Sequence, residues 1–352
     1  MKKGQTLRLI ATLAGFGLIA NASAQTAVDL GLSVKWADRN IAASAESDYG
    51  NFYAWGETTT KTSFWWTNYQ HGDSTAATKY KPVKAPSNEK DDWTNATGIY
   101  NNNDKAPERY KGDGFSTGRI IYRTITGLEP STNYTVTMIA IANVARDLDT
   151  NTYAGSGIAY VFANSTEQDI IVGTDAAVSS DKWQNYVYDL TTTSNENGEI
   201  TIGIANRKKG GQWYIARAVC ITPTLNSADD VATKNWGNGW RTPTCIEMNE
   251  LYTQCTWTWT TRNGITGYEV KSKVNDNSIF LPAAGVSFDG KTAVINQEGS
   301  YMTRSADFEY GHLCTVMNFN EEKVYYTTGN WHDSCTGKGE RYRGRSVRAV
   351  KD

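Results

Sequence analysis

Tyr134-Thr135-Val136-Thr137-Met138-Ile139-Ala140 is the stretch that decides the fold. It is rich in β-branched residues and alternates with a period of two, the signature of a strand with one face buried. The same texture extends in both directions from about residue 115 to 222. Arg119-Ile120-Ile121-Tyr122-Arg123-Thr124-Ile125 precedes it, and Ile200-Thr201-Ile202-Gly203-Ile204 follows. Turn chemistry separates these runs, as in Gly127-Leu128-Glu129-Pro130-Ser131 and Asn195-Glu196-Asn197-Gly198. No part of this region carries a helical period, so short strands at regular spacing predict an antiparallel sandwich.

Outside this region the sequence changes. Residues 25–85 and 225–352 are richer in Trp and Gly, and the later part holds the clearest helix signal. Thr244 followed by Glu247 has capping-box spacing, and Met248, Leu251, Tyr252 and Cys255 recur at i, i+3, i+4 and i+7. The spacing predicts a helix from Cys245 to about Gln254, with a weaker one over Asp229 to Asn235. The organisation expected is one domain, 86–224, inserted into another made of 25–85 and 225–352.

The first 24 residues read as an export signal. Lys2, Lys3 and Arg8 open it, an apolar run spans Leu9 to Ala20, and Ala22-Ser23-Ala24 supplies the small residues of a cleavage site. The run falls short of the ~20 residues that cross a bilayer. Removing three cations and no acid takes the formal net charge from -2 to -5. A mildly acidic chain is a poor partner for nucleic acid. The expected product is exported, extracellular or at the cell surface or in the periplasm, with no membrane span.

The chemistry-bearing residues are sparse. His71, His312 and His332 are far apart with no HExxH, which disfavours a zinc hydrolase. Gly114-Phe115-Ser116-Thr117-Gly118 satisfies GxSxG, but a β-branched run follows where a nucleophile elbow needs a helix. Glu321 and Glu322 are adjacent, so a strand would point them to opposite faces. Arg341, Arg343, Arg345 and Arg348 are expected on a surface strand paired with carboxylates. The five cysteines, Cys220, Cys245, Cys255, Cys314 and Cys335, are odd in number and show no CxxC spacing. No cofactor or metal is expected.

Aromatic surplus points instead to carbohydrate. Trp183, Tyr186, Tyr188, Trp213 and Tyr214 lie in the inserted region, and sugar rings lay their C–H faces on aromatic planes while planar amides such as Asn206 fix hydroxyls. Tyr186 and Tyr188 also fit as core residues of a strand. Trp213 follows the loop Arg207-Lys208-Lys209-Gly210-Gly211, which favours its exposure. The candidate ligand residues are therefore Trp213, Trp183, Tyr214 and Asn206.

Two resemblances sharpen this reading. Val28-Asp29-Leu30-Gly31-Leu32-Ser33-Val34-Lys35-Trp36-Ala37, Tyr53-Ala54-Trp55-Gly56-Glu57-Thr58, Trp236-Gly237-Asn238-Gly239-Trp240-Arg241-Thr242-Pro243-Thr244, Ile279-Phe280-Leu281-Pro282-Ala283-Ala284-Gly285 and Gly344-Arg345-Ser346-Val347-Arg348 resemble the Fibrobacter succinogenes major paralogous domain family. The resemblance implies an α+β C-type-lectin-like fold without established catalysis, in which Met302 stands where the family pattern has Trp. Cys314 and Cys335, the latter just after Trp331-His332-Asp333-Ser334, repeat a C-type-lectin pattern that implies a disulfide between them. The inserted segment resembles galactose-binding-like jelly rolls of carbohydrate-active proteins, through Tyr122-Arg123-Thr124-Ile125-Thr126-Gly127-Leu128, Gly198-Glu199-Ile200-Thr201-Ile202-Gly203-Ile204 and Gln212-Trp213-Tyr214-Ile215-Ala216. That implies a carbohydrate-binding module, with Arg217 where the family has an Asp. The expectation is a non-catalytic glycan-binding or adhesin-like protein. Its rivals are an enzyme on the similar formylglycine-generating scaffold and a structural subunit of a surface appendage.

Overall fold

A computed structural model describes residues 25–83, 93–95, 110–112, 117–143, 146–147, 152–153, 159–170, 172–173, 187–208, 213–237, 239–307, 309–325 and 337–352. The chain is mostly β-sheet with few helices. Among the described residues no helix is long and apolar enough to cross a membrane. The first 24 residues, expected to be an export signal, lie outside the described residues.

The alternating runs form two sheets. In one, the strand Asn133–Asn143 lies between Val187–Thr193 and Trp213–Thr224, antiparallel to both. In the other, the order is Thr166–Asp169, Ala159–Ala163, Ile200–Asn206, Gly118–Ile125 and Thr94–Asn95. Alternation explains the packing: Tyr134, Val136, Met138 and Ala140 from the first sheet meet Ile120, Ile121, Val161, Ile202 and Ile204 from the second in one apolar cluster. Gly203 lets two strands approach, because a Cβ there would sit 2.2 Å from the Ile121 carbonyl oxygen. Between strands, Asn195 closes the turn by accepting from the backbone N–H groups of Asn197 and Glu199, and Gly198 takes a φ of 71°.

The flanking segments build separate apolar clusters. Trp36, Met248, Leu251, Val270, Tyr301 and Phe319 form one, and Tyr53, Trp55, Tyr80, Trp240, Met302 and Val316 another. Met302 is fully enclosed. The early strand Lys35–Ala37 and the late strand Val350–Lys351 pair antiparallel, which joins the two distant segments in one sheet. Helix α1, Val231–Trp236, begins one residue after its N-cap Asp230, whose carboxylate accepts from the N–H groups of Ala232 and Thr233. It thus starts and ends later than the Asp229–Asn235 expected. Asp229 is engaged elsewhere, with the Tyr80 hydroxyl at 2.6 Å and the Lys79 ammonium. Helix α2, Cys245–Gln254, has its capping box: the Thr244 hydroxyl accepts from the Glu247 N–H, and the Glu247 carboxylate accepts from the Thr244 N–H.

The two sets of clusters are joined by backbone pairing and polar contacts. Thr224 pairs with Ser305, continuing the sheet. Glu129 accepts from the Tyr80 N–H at 2.8 Å, and Asn226 accepts from the Asn133 N–H at 2.9 Å.

One expectation is overturned. Arg341, Arg345 and Arg348 are buried rather than on a surface strand, and they hold carbonyl oxygens and a side-chain amide or hydroxyl rather than carboxylates. Arg341 donates to Lys79, Tyr80 and Leu313 carbonyls, and Arg348 to Ala37, Asp38 and Phe280 carbonyls and the Asn40 side chain. A guanidinium has five N–H donors in a rigid fork, so it can pin several loop carbonyls at once, which an ion pair with one carboxylate would not. Only Arg343 of the four makes an ion pair among the described residues, with Glu340 at 2.6 Å.

Candidate functional site

A cleft defined by described residues lies in the later flanking segment. Its volume is about 420 Å³, within the range of small-molecule sites. Four stretches distant in sequence assemble it. Gly285 and Val286 form one wall, and the strand Glu298–Ala306 supplies Glu298 and Ser300. The strand Leu313–Asn320 supplies Leu313 and Asn318, and the last wall is Lys338 to Glu340 with Arg343 and Arg345.

The polar groups here are held by one hydroxyl. Ser300 and Asn318 are directly opposite in the antiparallel ladder. The Ser300 hydroxyl accepts from Arg345 Nε at 3.1 Å and donates to Asn318 Oδ1 at 2.7 Å. A serine has a single proton to give, so with the guanidinium on one side that proton is committed to the amide oxygen. The Asn318 amide NH2 is thereby turned away from Ser300.

Arg345 is the most unusual group in the cleft. It is only 4% exposed, and its Nη1 donates to the carbonyls of Glu340 at 2.7 Å and Arg343 at 3.3 Å. Its Nη2 makes no hydrogen bond among the described residues. Gly339 makes room for it, since a Cβ at that position would lie 2.4 Å from Nη2. Burial holds its pKa below the ordinary value, the Arg343 guanidinium adding to this and the Glu340 carboxylate opposing it. A guanidinium nevertheless stays charged. The other cations have partners: Arg343 pairs with Glu340, and Lys338 with Asp307 at 3.3 Å and Glu309 at 3.5 Å.

Aromatic rings lie against two of the lining cations. The Arg343 guanidinium lies over the Phe288 ring at 4.7 Å, and Trp66 meets Tyr342 at 4.7 Å between centroids. Beside Trp66, Trp65 is 43% exposed. On the Lys338 side, Tyr310 is 44% exposed, with the ammonium 4.8 Å from its ring.

The residues singled out from the sequence are distributed differently. Trp213 and Tyr214 begin the strand Trp213–Thr224, in register with Asn143 and Ala142; their side chains, like Trp183 as a whole, lie outside the described residues. Asn206 ends the strand Ile200–Asn206 and is 2% exposed, withdrawn from solvent. Tyr188 packs in the sandwich core. Cys314 is a buried free thiol whose Sγ donates to the Gly339 carbonyl at 3.3 Å, and burial pushes its pKa up. Cys335 lies outside the described residues. Glu321 and Glu322 are both exposed. Among the described residues no cluster of His, Cys, Asp or Glu could hold a metal ion.

Sequence reading missed Ser300, Asn318 and Glu298. The available signal was Asn318, a polar residue in a strand whose neighbours Val316, Met317 and Phe319 are all buried. No known protein-family model matches the chain, and no curated protein matches it.

Proposed function

We propose that the chain is an exported, non-catalytic glycan-binding protein, in which a C-type-lectin-like body, 25–85 and 225–352, carries an inserted jelly-roll module, 86–224. The division of the apolar clusters supports the domain reading: one draws on residues from Val83 to Ile221, the others on residues up to Tyr80 and from Leu225 onward.

The observation that carries the functional reading is the cleft itself. It presents a fixed amide, a guanidinium and a carboxylate, with exposed Tyr310 against the lining Lys338, a combination of directional polar groups and aromatic surface that suits a polyol ring. Ser300, the one hydroxyl among the described lining residues, is committed on both sides to Arg345 and Asn318. It therefore has no base poised to make it a nucleophile. On the inserted module, Trp213 with Trp183 and Tyr214 forms the second proposed contact surface, independent of calcium because Arg217 brings a fixed positive charge.

The test is titration of the purified chain with glycans, comparing Asn318→Ala with Trp213→Ala, with and without a chelator. Dissociation constants in the high micromolar range, about -5 to -6 kcal/mol, are expected. Each variant should weaken one class of ligand while keeping the melting temperature. Binding that neither substitution changes would refute both sites.

A further inference from the structure

Arg345 poses a physical problem that the fold does not solve by itself. A buried cation usually sits against a carboxylate, because desolvating a charge is costly without a counter-charge. Arg345 has only carbonyls and a hydroxyl as partners, and among the described residues no carboxylate lies in ion-pair contact with it. The nearest acid in sequence, Glu340, is taken by Arg343. Among the described residues the guanidinium thus keeps one NH2 group without a hydrogen-bond partner, and Arg345 lines a cavity large enough for a small molecule.

A second donor is fixed beside it by the same hydroxyl. Ser300 orients the Asn318 amide oxygen toward itself, which leaves the amide NH2 as a donor. Two NH2 groups anchored on one serine form a donor pair suited to the two oxygens of a carboxylate. Glu298, also lining the cavity, makes no ion pair among the described residues and offers an acceptor for hydroxyl groups. A dianion such as a phosphate monoester would be opposed by Glu298, whereas a singly charged, hydroxyl-rich acid satisfies all three groups.

We propose that this cleft binds the carboxylate of an acidic sugar residue, with Arg345 and Asn318 on the carboxylate and Glu298 on a ring hydroxyl. The proposal rests on the glycan-binding reading and adds the charge class of the ligand. The carboxylate supplies the ion-pair contact that Arg345 lacks among the described residues. Hexuronic acids and sialic acids share this chemistry, and the experiment separates them.

The experiment is calorimetric titration of the full chain with trigalacturonic acid against its methyl ester, and with sialyllactose against lactose. At least one acid should bind, and its neutral counterpart should bind about tenfold more weakly or worse, as expected for losing a hydrogen-bonded charge. Arg345 also holds two backbone carbonyls, so its substitution risks the fold. Asn318→Asp is the sharper variant, because its carboxylate still accepts the Ser300 proton but places a negative oxygen where the donor stood. It should lose acid binding by about tenfold or more, with an unchanged melting temperature and unchanged binding of any neutral glycan taken up at Trp213. Equal binding of acid and neutral forms, or acid binding that Asn318→Asp does not weaken, overturns the proposal. If the acids fail to bind while a neutral glycan binds, the proposal falls and the glycan-binding reading stands; if no sugar binds at all, both fall.

Discussion

Asp230→Ala should uncouple the two apolar bodies thermally, because this carboxylate serves only one of them. It is completely buried and accepts from Ala232 N at 3.0 Å, Thr233 N at 3.2 Å, Thr242 N at 3.0 Å and the Thr242 hydroxyl at 2.9 Å. It is also the counter-charge of buried Arg304, whose Nε lies 3.9 Å away and has no hydrogen-bond partner among the described residues. Loss of the cap costs about 1 kcal/mol. Leaving the two Thr242 donors unsatisfied adds roughly 1 to 3 kcal/mol. Stranding a buried cation by itself typically costs about 3 to 5 kcal/mol, with part of that sum already counted in the lost bonds. A total of about 4 kcal/mol is therefore expected. For a body of roughly 190 residues that corresponds to a melting shift of about 8 to 16 °C. Differential scanning calorimetry should show two transitions, of which only the one belonging to 25–85 and 225–352 moves. A single transition that shifts as a whole, or a shift below about 2 °C, would refute the reasoning.

Three further outcomes follow from the same structure. Gly203→Ala forces a Cβ against the Ile121 carbonyl and should lower the other transition by about 1 to 3 kcal/mol, leaving the Asp230-dependent one in place; calorimetry checks this. Thr244→Ala removes the hydroxyl that caps α2 and should cost about 1 kcal/mol in a denaturant titration. Asp189 has a pKa raised by burial and partly restored by the Thr137 hydroxyl at 2.5 Å. A raised carboxylate pKa contributes stability that is present below the unfolded value of about 3.9 and lost as pH climbs through the folded one. Asp189→Asn should accordingly raise the sandwich melting temperature at pH 7 and change it little at pH 3.5, and equal shifts at both pH values would contradict this.

What the sequence made legible was local. Helix α2 announces itself through Thr244, Glu247 and four apolar positions within one heptad, all interacting inside the segment, and its limits coincide with the expected ones. Helix α1 starts two residues late because Asp229 and Asp230 are equally good caps on paper. Contacts with Lys79 and Tyr80, far away in sequence, draw Asp229 off. The sandwich strands were readable because alternation follows directly from one buried face, as at Tyr134, Val136 and Met138. Arg341, Arg345 and Arg348 were misplaced because sequence shows charge but not depth, and most of their partners are carbonyl oxygens, which every residue has. The cleft was illegible for a related reason: Glu298, Ser300, Asn318 and Arg345 each look ordinary, and only the pairing of distant strands assembles them.

The central claim, that this is a carbohydrate-binding protein, is tested most directly by a glycan array probed with the purified chain from Gln25 onward. Its folding should be verified beforehand by circular dichroism. The account predicts signal confined to a subset of glycans, retained in the presence of a chelator and reduced by Trp213→Ala or Asn318→Asp. A folded chain that leaves every glycan on the array unbound would contradict it.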